Sequence, residues 1–164
     1  MRIGDLNTVA QAIQTQEGFY AGTLAWQNNN PGNLVPAGQP GYSPGAGGFC
    51  SFPDYQTGYN ALLNQINLDA SRGYTILQFT TKYLGGDPNN PGSAPGGDPN
   101  VYAANIAAAA GVSPNDLLST AIASGAVTPD SLFNSISAGL DGMDPTTTAM
   151  LAVGGALLLA WALA

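Results

Sequence analysis

Glu17 is the only glutamate in the chain, and its position favours acid–base chemistry. The apolar residues Leu6, Ala10 and Ile13 recur at helical spacing, and the same spacing continues onto position 17. Partial burial and the negative end of the helix dipole both favour a protonated carboxyl at such a place. A protonated carboxyl can donate to a leaving oxygen, as general acid catalysis at a glycosidic bond requires. The simpler alternative is a solvated glutamate at a helix end.

Aromatic and amide side chains follow this glutamate closely. Phe19, Tyr20 and Trp26 come first, and an asparagine-rich turn then supplies Asn30 and Asn33. Sugar rings offer apolar faces for stacking, and N-acetyl groups need amide donors and acceptors, so this set predicts a groove for N-acetylated sugars. The alternative is that the aromatic residues are core and the asparagines only form turns.

Composition excludes several other kinds of site. The chain has no histidine and a single cysteine, Cys50, so a Ser-His-Asp triad, a histidine zinc site and an internal disulfide are impossible. We expect Cys50 to be a small buried hydrophobe, and we expect no metal and no cofactor. With three basic residues against ten acidic ones, nucleic acid is not an expected partner.

Helical periodicity and capping residues predict a mainly α-helical fold. The first helix starts near Asp5 or Asn7 and stops at Gly18. A second ends at Gly73 and a third begins at Thr75. Later helices are predicted from two further patterns: a small-residue run at 101–110 closed by Gly111, and cap–proline pairs at Ser113-Pro114, Thr128-Pro129 and Asp144-Pro145.

Two stretches lack helical periodicity. Residues 21–52 are rich in Asn-Pro and Pro-Gly turn signals and predict a structured loop, with short strands near 34–35 and 48–52. Residues 85–99 are predicted to form a second loop. We therefore expect a globular domain over residues 1–120 and a linker of short helices over 121–144.

Residues 145–164 form the most apolar segment of the chain. They carry no charge, and twenty helical residues span about 30 Å, the thickness of a bilayer core. The segment also lacks the polar face of a typical surface helix. It is predicted to be a transmembrane helix that anchors the protein to a lipid membrane, with a buried core helix as the alternative.

The motif around the asparagine turn resembles a known family. The chain is similar to the lysozyme-like domain of phage and bacterial lytic transglycosylases over roughly residues 8–118, and the similar stretches are Glu17-Gly18-Phe19, Asn28–Leu34, Gly48-Phe49, Phe52-Pro53-Asp54, Gly58–Leu62, Gly73–Phe79, Lys82-Tyr83, Tyr102 and Gly111-Val112. The Asn-Asn-Pro-Gly-Asn-Leu element after an upstream glutamate is the most specific of these.

The resemblance implies a lysozyme-like (α+β) fold whose small β element lines a cleft. It also implies that Glu17 protonates the glycosidic oxygen of peptidoglycan, and that Phe49, Phe52 and Tyr102 line the groove. The chain departs from the family pattern at Gln27, where relatives often carry a basic residue, and in the long loop at 85–99. Both departures concern the sugar subsites rather than the acid.

The reaction course depends on whether a second carboxylate is present. A hydrolase ordinarily needs one, and Asp54 and Asp69 are the candidates, although Asp54 is better explained as a helix N-cap. A transglycosylase needs only one acid/base, because a hydroxyl of the substrate attacks and leaves an anhydro-sugar end. We therefore expect a lytic transglycosylase that cleaves the MurNAc–GlcNAc β-1,4 bond, with a hydrolase as the alternative.

The setting that suits these features is a phage virion containing a membrane, where the enzyme would open the wall locally. A bacterial envelope enzyme or a lysis protein suits them nearly as well. Two non-enzymatic alternatives stay open: a virion structural or wall-binding protein that kept the fold without activity, and a membrane-anchored assembly protein with no sugar site. Other virion proteins are partners under the first setting.

Overall fold

The computed structural model describes residues 5–123, and these are mainly α-helical. The helices are α1 (Leu6–Gln16), α2 (Leu24–Gln27), α3 (Tyr55–Ser71), α4 (Ile76–Tyr83), α5 (Pro99–Ala110) and α6 (Leu118–Ala123). A small antiparallel sheet joins β1 (Ser43–Pro44) to β2 (Cys50–Ser51), with Ser43 opposite Ser51. Short 3₁₀ turns lie at Ala46–Gly48 and Pro91–Ser93.

The first helix has the cap and the buried face that its sequence predicts. Asp5 is the N-cap, and its side chain accepts a hydrogen bond of 2.7 Å from the main-chain N–H of Thr8. Val9, Ala10 and Ile13 are completely buried. Helix α1 packs against α3, α5 and α6, and α4 packs against α5. The main core therefore lies between α1 and the later helices, with Glu17 at its edge.

A smaller core holds the loop between α2 and α3 in place. Leu34, Cys50, Phe52 and Ala61 form this second apolar cluster. Cys50 is fully buried, as its apolar neighbours predict, and burial raises the pKa of its thiol. The cluster joins the β element to α3, so that the loop is a fixed part of the fold.

Most predicted helix boundaries are confirmed. Helix α3 begins after its N-cap Asp54, α4 begins after Thr75 in a capping box with Gln78, and α5 is closed by Gly111. The capping box works because the Thr75 side chain accepts from the Gln78 N–H while the Gln78 side chain accepts from the Thr75 N–H.

Three local predictions are wrong. Helix α2 interrupts the stretch predicted to be irregular, capped by Thr23. Residues 34–35 are not a strand, since Leu34 only accepts one main-chain bond from Cys50. The short helix predicted to start at Ser113-Pro114 begins only at Leu118, because the chain before it pairs with the residues before α4: the main-chain N–H of Leu118 donates to the Tyr74 carbonyl at 2.8 Å.

The main core extends slightly beyond the predicted domain end at residue 120, since Leu118 and Ala121 of α6 are fully buried in it. Within residues 5–123, no helix combines the length and the apolar character needed to cross a bilayer. The predicted linker after residue 123 and the predicted anchor at 145–164 lie outside the described residues.

Candidate active site

Glu17 is the C-cap residue of α1, at the end of the apolar face that its sequence predicts. Its main-chain N–H donates to the Ile13 carbonyl at 2.9 Å, and the residue is half-buried. Gly18 follows with φ of 66°, a left-handed conformation that glycine adopts without a steric cost. The helix therefore stops at this point and leaves the Glu17 side chain at the edge of the core.

The Glu17 carboxyl is held by two side chains from distant parts of the chain. The Tyr102 hydroxyl donates to Oε1 at 2.7 Å, across 85 positions of sequence. The Asn33 amide Nδ2 donates to Oε2 at 3.1 Å and also lies 3.4 Å from the Glu17 main-chain oxygen. Each carboxyl oxygen thus has one partner. The orientation of the carboxyl is set by α5 and by the loop of residues 28–34, called the asparagine loop below.

The Tyr102 hydroxyl can keep a hydrogen bond to a carboxyl in either protonation state of that carboxyl. Only 8% of the residue is exposed, and burial raises the pKa of its hydroxyl, with the charges of Tyr83 and Glu17 adding to the shift. The hydroxyl therefore stays neutral at physiological pH. A neutral hydroxyl both donates and accepts, so it can bond to Glu17 as carboxylate or as acid.

Tyr83 contacts both the Tyr102 ring and the asparagine loop. The two rings lie 6.1 Å apart at their centroids, and the Tyr83 hydroxyl donates to the Gly32 carbonyl. A Cβ on Gly32 would lie 2.7 Å from that hydroxyl oxygen, so only glycine fits this contact without a shift. Desolvation raises the pKa of Tyr83 well above its usual range. These contacts therefore fix the asparagine loop relative to Tyr83 and Tyr102.

The other asparagines of the loop are occupied inside it. The buried Asn30 donates from Nδ2 to the Leu34 and Cys50 carbonyls, both at 2.9 Å, and accepts from the Leu34 N–H at 2.9 Å. Asn28 exchanges two hydrogen bonds with the main chain of Ala46. Asn33, which has a left-handed φ of 45°, is the one that reaches the carboxyl. Asn30 thus stabilises the loop, and Asn33 contacts the acid.

A cavity of about 340 Å³ opens beside Glu17, within the size range of small-molecule sites. It lies between the end of α1, the end of α4 and the start of α5, and its lining residues are Gln16, Glu17, Leu84, Gly96, Gly97, Asp98, Val101 and Tyr102. The predicted pair of Glu17 and Tyr102 therefore shares one cavity, formed partly by the long glycine-rich loop before α5.

The predicted aromatic residues other than Tyr102 do not line this cavity. The Phe19 ring packs on Tyr55 at a centroid distance of 5.4 Å, and Tyr20 is 67% exposed. Phe49 is half-buried, and Phe52 is 3% exposed because it belongs to the smaller core. Phe52 consequently supports the loop and presents no face to a ligand.

Asp98 is a cavity residue that the sequence analysis missed. It is the N-cap of α5, and its Oδ1 accepts from the Asn100 main-chain N–H at 2.9 Å and from the Asn100 side-chain amide at 3.0 Å. These bonds lower the pKa of its carboxyl. In the sequence, Asp98 stands directly before Pro99. This pattern indicates a helix N-cap and does not show that the residue belongs to a site.

The two carboxylates considered from the sequence are committed elsewhere. Asp69 is 1% exposed and bonded to Lys82 at 2.7 Å, to Arg72 at 2.6 Å and to Gln65 at 2.6 Å. Asp54 accepts from the Thr57 main-chain N–H at 2.7 Å, which confirms it as an N-cap. Neither lines the cavity beside Glu17.

No family model, curated protein or solved structure matches this chain. Kinship with the lytic transglycosylases therefore stays a prediction from the motif around Glu17 and the asparagine turn. Among residues 5–123, no three acidic or cysteine side chains are grouped as a metal site.

Proposed function

We propose that this protein cleaves the MurNAc–GlcNAc β-1,4 bond of peptidoglycan as a lytic transglycosylase with a lysozyme-like fold. The observation that carries the proposal is the arrangement at Glu17: a half-buried carboxyl, oriented by Tyr102 and Asn33, at the wall of a cavity of about 340 Å³. A general acid must be held in a defined position, and the bonds from Tyr102 and Asn33 hold the Glu17 carboxyl in this way.

In the first step, Glu17 acts as the acid. The bond between the anomeric carbon and the bridging oxygen breaks, the electron pair stays on that oxygen, and the Glu17 proton goes to it. Positive charge then develops on the ring that keeps the anomeric carbon. Tyr102 keeps a hydrogen bond to the Glu17 carboxyl in both protonation states, so the carboxyl does not lose its orientation as the proton leaves.

In the second step, Glu17 acts as the base. A hydroxyl of the same sugar attacks the anomeric carbon, a new carbon–oxygen bond closes an anhydro ring, and the hydroxyl proton returns to Glu17. No water is consumed, and the carboxyl is again protonated. One acid/base suffices for this course, and Asp54 and Asp69 are engaged elsewhere in the fold.

Hydrolysis is the second candidate course, because Asp98 lines the same cavity as Glu17. A carboxylate in that place can take a proton from a water that attacks the anomeric carbon. The two courses differ in their products: transglycosylation leaves anhydro ends, whereas hydrolysis leaves reducing ends.

Digestion of purified peptidoglycan by the full chain, followed by mass spectrometry of the fragments, tests the proposal. We expect anhydro-ended fragments from the native protein and none from Glu17→Gln. The matched control is Asp5→Asn, which removes one charge from the opposite end of the same helix while asparagine keeps the cap. Equal digestion by native protein and Glu17→Gln would refute Glu17 as the acid.

The non-catalytic alternative predicts a different result in the same assay. A wall-binding or virion structural protein would sediment with peptidoglycan and release no fragments.

We further propose that residues 145–164 anchor the enzyme to a membrane, in a virion or a bacterial envelope, since this uncharged segment has the length of a bilayer span. Other virion proteins are its proposed neighbours there.

A further inference from the structure

We infer that Asp98 is a second catalytic residue of this site, whose carboxylate stabilises the positive charge that develops on the sugar ring as Glu17 protonates the leaving oxygen. The inference rests on the proposed function. It assigns to Asp98 an electrostatic contact with the reacting ring and no part in proton transfer.

The helix that positions Tyr102 also positions Asp98. The Tyr102 main-chain N–H donates to the Asp98 carbonyl at 3.2 Å, so the two residues are joined by the first hydrogen bond of α5. Tyr102 reaches Glu17 directly at 2.7 Å, and Asp98 lies on the wall of the same cavity. A single helical turn therefore ties the position of the second carboxylate to that of the acid.

Hydrogen bonds favour the ionised form of the Asp98 carboxyl. The two bonds from Asn100 both go to Oδ1 and lower the pKa of the group. The main-chain N–H of Val101 lowers the pKa further, so the carboxyl is held by the first turn of α5. Because Asp98 is also exposed, the carboxylate combines a set orientation with access to a ligand in the cavity.

The charge balance of the cavity favours a cationic transition state. Its lining includes two acids, Glu17 and Asp98, and no lysine or arginine. After Glu17 has given up its proton, both carboxyls are negative while the sugar ring is positive. A bound glycan displaces water from the cavity, which lowers the local dielectric and strengthens the attraction.

Binding of two sugar probes tests the inference without relying on turnover. The probes are a neutral N-acetylglucosamine oligosaccharide and the same oligosaccharide ending in a cationic iminosugar, titrated into the full chain by calorimetry. We expect Asp98→Asn to weaken binding of the cationic probe by about fivefold, because Asp98 is exposed and solvent screens part of its attraction, and to leave the neutral probe within about twofold. Asparagine is also a good N-cap, so α5 keeps its start.

Asp54→Asn is the matched control, since it makes the same change at the N-cap of α3, away from the cavity. It is expected to bind both probes as the native protein does. Equal weakening of both probes by Asp98→Asn, or no weakening of either, would overturn the inference and leave the proposed function standing. Failure of the native protein to bind either probe would count against the proposed function itself.

Kinetics on soluble glycan fragments give a second readout. We expect Asp98→Asn to lower kcat by about tenfold with KM nearly unchanged, because the carboxylate acts on a charge that exists only in the transition state. The ratio of anhydro to reducing ends is expected to stay as in the native protein. A shift of that ratio towards anhydro ends in the variant would contradict the electrostatic role, since it would identify Asp98 as the base that activates water.

Discussion

At the scale of single residues, the Tyr102 hydroxyl helps to set the orientation of the Glu17 carboxyl. The hydroxyl bonds to one carboxyl oxygen, and Asn33 bonds to the other. Neither partner is adjacent to the acid in sequence, so the carboxyl is oriented by tertiary contacts rather than by its own helix. Removal of one partner should therefore affect catalysis more than folding.

Tyr102→Phe tests this expectation. We expect kcat on peptidoglycan fragments to fall by about tenfold or more, the usual effect of losing one positioning contact, while the far-ultraviolet circular dichroism stays native. Tyr20→Phe is the control, because Tyr20 is 67% exposed and does not line the cavity. Equal activity of the two variants would show that Tyr102 does not position the acid.

The buried tyrosines also predict how stability depends on pH. Burial raises the folded-state pKa of Tyr102 and Tyr83 above the ordinary value of 10.0. Above pH 10 the unfolded chain therefore releases tyrosine protons that the folded chain retains, and stability falls as pH rises. Each such group lowers the free energy of unfolding by about 1.4 kcal/mol per pH unit in this window.

Urea denaturation between pH 9 and pH 11.5 measures this slope. Tyr102→Phe removes one group whose pKa is raised in the folded state, so its stability is expected to decline less steeply than that of the native protein. Tyr20→Phe, at an exposed site, should retain the native slope. Identical slopes for all three proteins would mean that Tyr102 is not shielded from solvent in the folded state.

At the scale of elements, the asparagine loop is docked directly on α3. An ideal Cβ on Gly58 of α3 would lie only 1.8 Å from the carbonyl oxygen of Asn29. The same loop is bonded to Tyr83 through Gly32 and to Glu17 through Asn33. Close approach at Gly58 is therefore part of what sets the position of Asn33 beside the acid.

Gly58→Ala is expected to destabilise the fold by about 2–3 kcal/mol, because the loop must move away from α3. A loss of stability would indicate the tight contact, because alanine in place of glycine ordinarily stabilises a helix by about 1 kcal/mol. Urea denaturation gives the free energy of unfolding. Asn64→Ala, at an exposed position of the same helix, should change it by no more than about 0.5 kcal/mol. A stabilised Gly58→Ala variant would rule out the tight contact.

At the scale of the whole molecule, we propose that a wall-cutting domain is followed by a membrane anchor. Residues 145–164 carry no charge over a length of twenty residues. We expect the full chain to float with phospholipid vesicles in a density gradient. A chain ending at residue 144 should stay at the bottom and still release fragments from soluble glycan.

Leu157→Lys is the matched variant for this test, because it keeps the length of the segment and adds one charge near its middle. A lysine at that depth costs about 3 kcal/mol of insertion free energy, so flotation should decrease. Flotation that is unchanged in both the Lys variant and the shortened chain would assign membrane binding to another part of the protein.

The sequence alone determined those features that depend on neighbouring residues. The buried face of α1, the caps Asp5, Asp54 and Thr75, and the burial of Cys50 were all predicted, because helical periodicity and capping are short-range effects. The four-residue helix α2 escaped prediction, since it is too short for its apolar period to be distinguished from a turn.

The resemblance placed Tyr102 at the groove, but its contact with Glu17 and the other residues of the cavity were decided only by the tertiary structure. It pairs Tyr102 with Glu17 across 85 positions, brings Asp98 to the same cavity, and keeps Asn30 and Phe52 inside the fold. Tyrosine occurs in cores as well as in clefts, and aspartate occurs at helix caps as well as in active sites. Their roles depend on packing between distant segments, and no local pattern of residues records that packing.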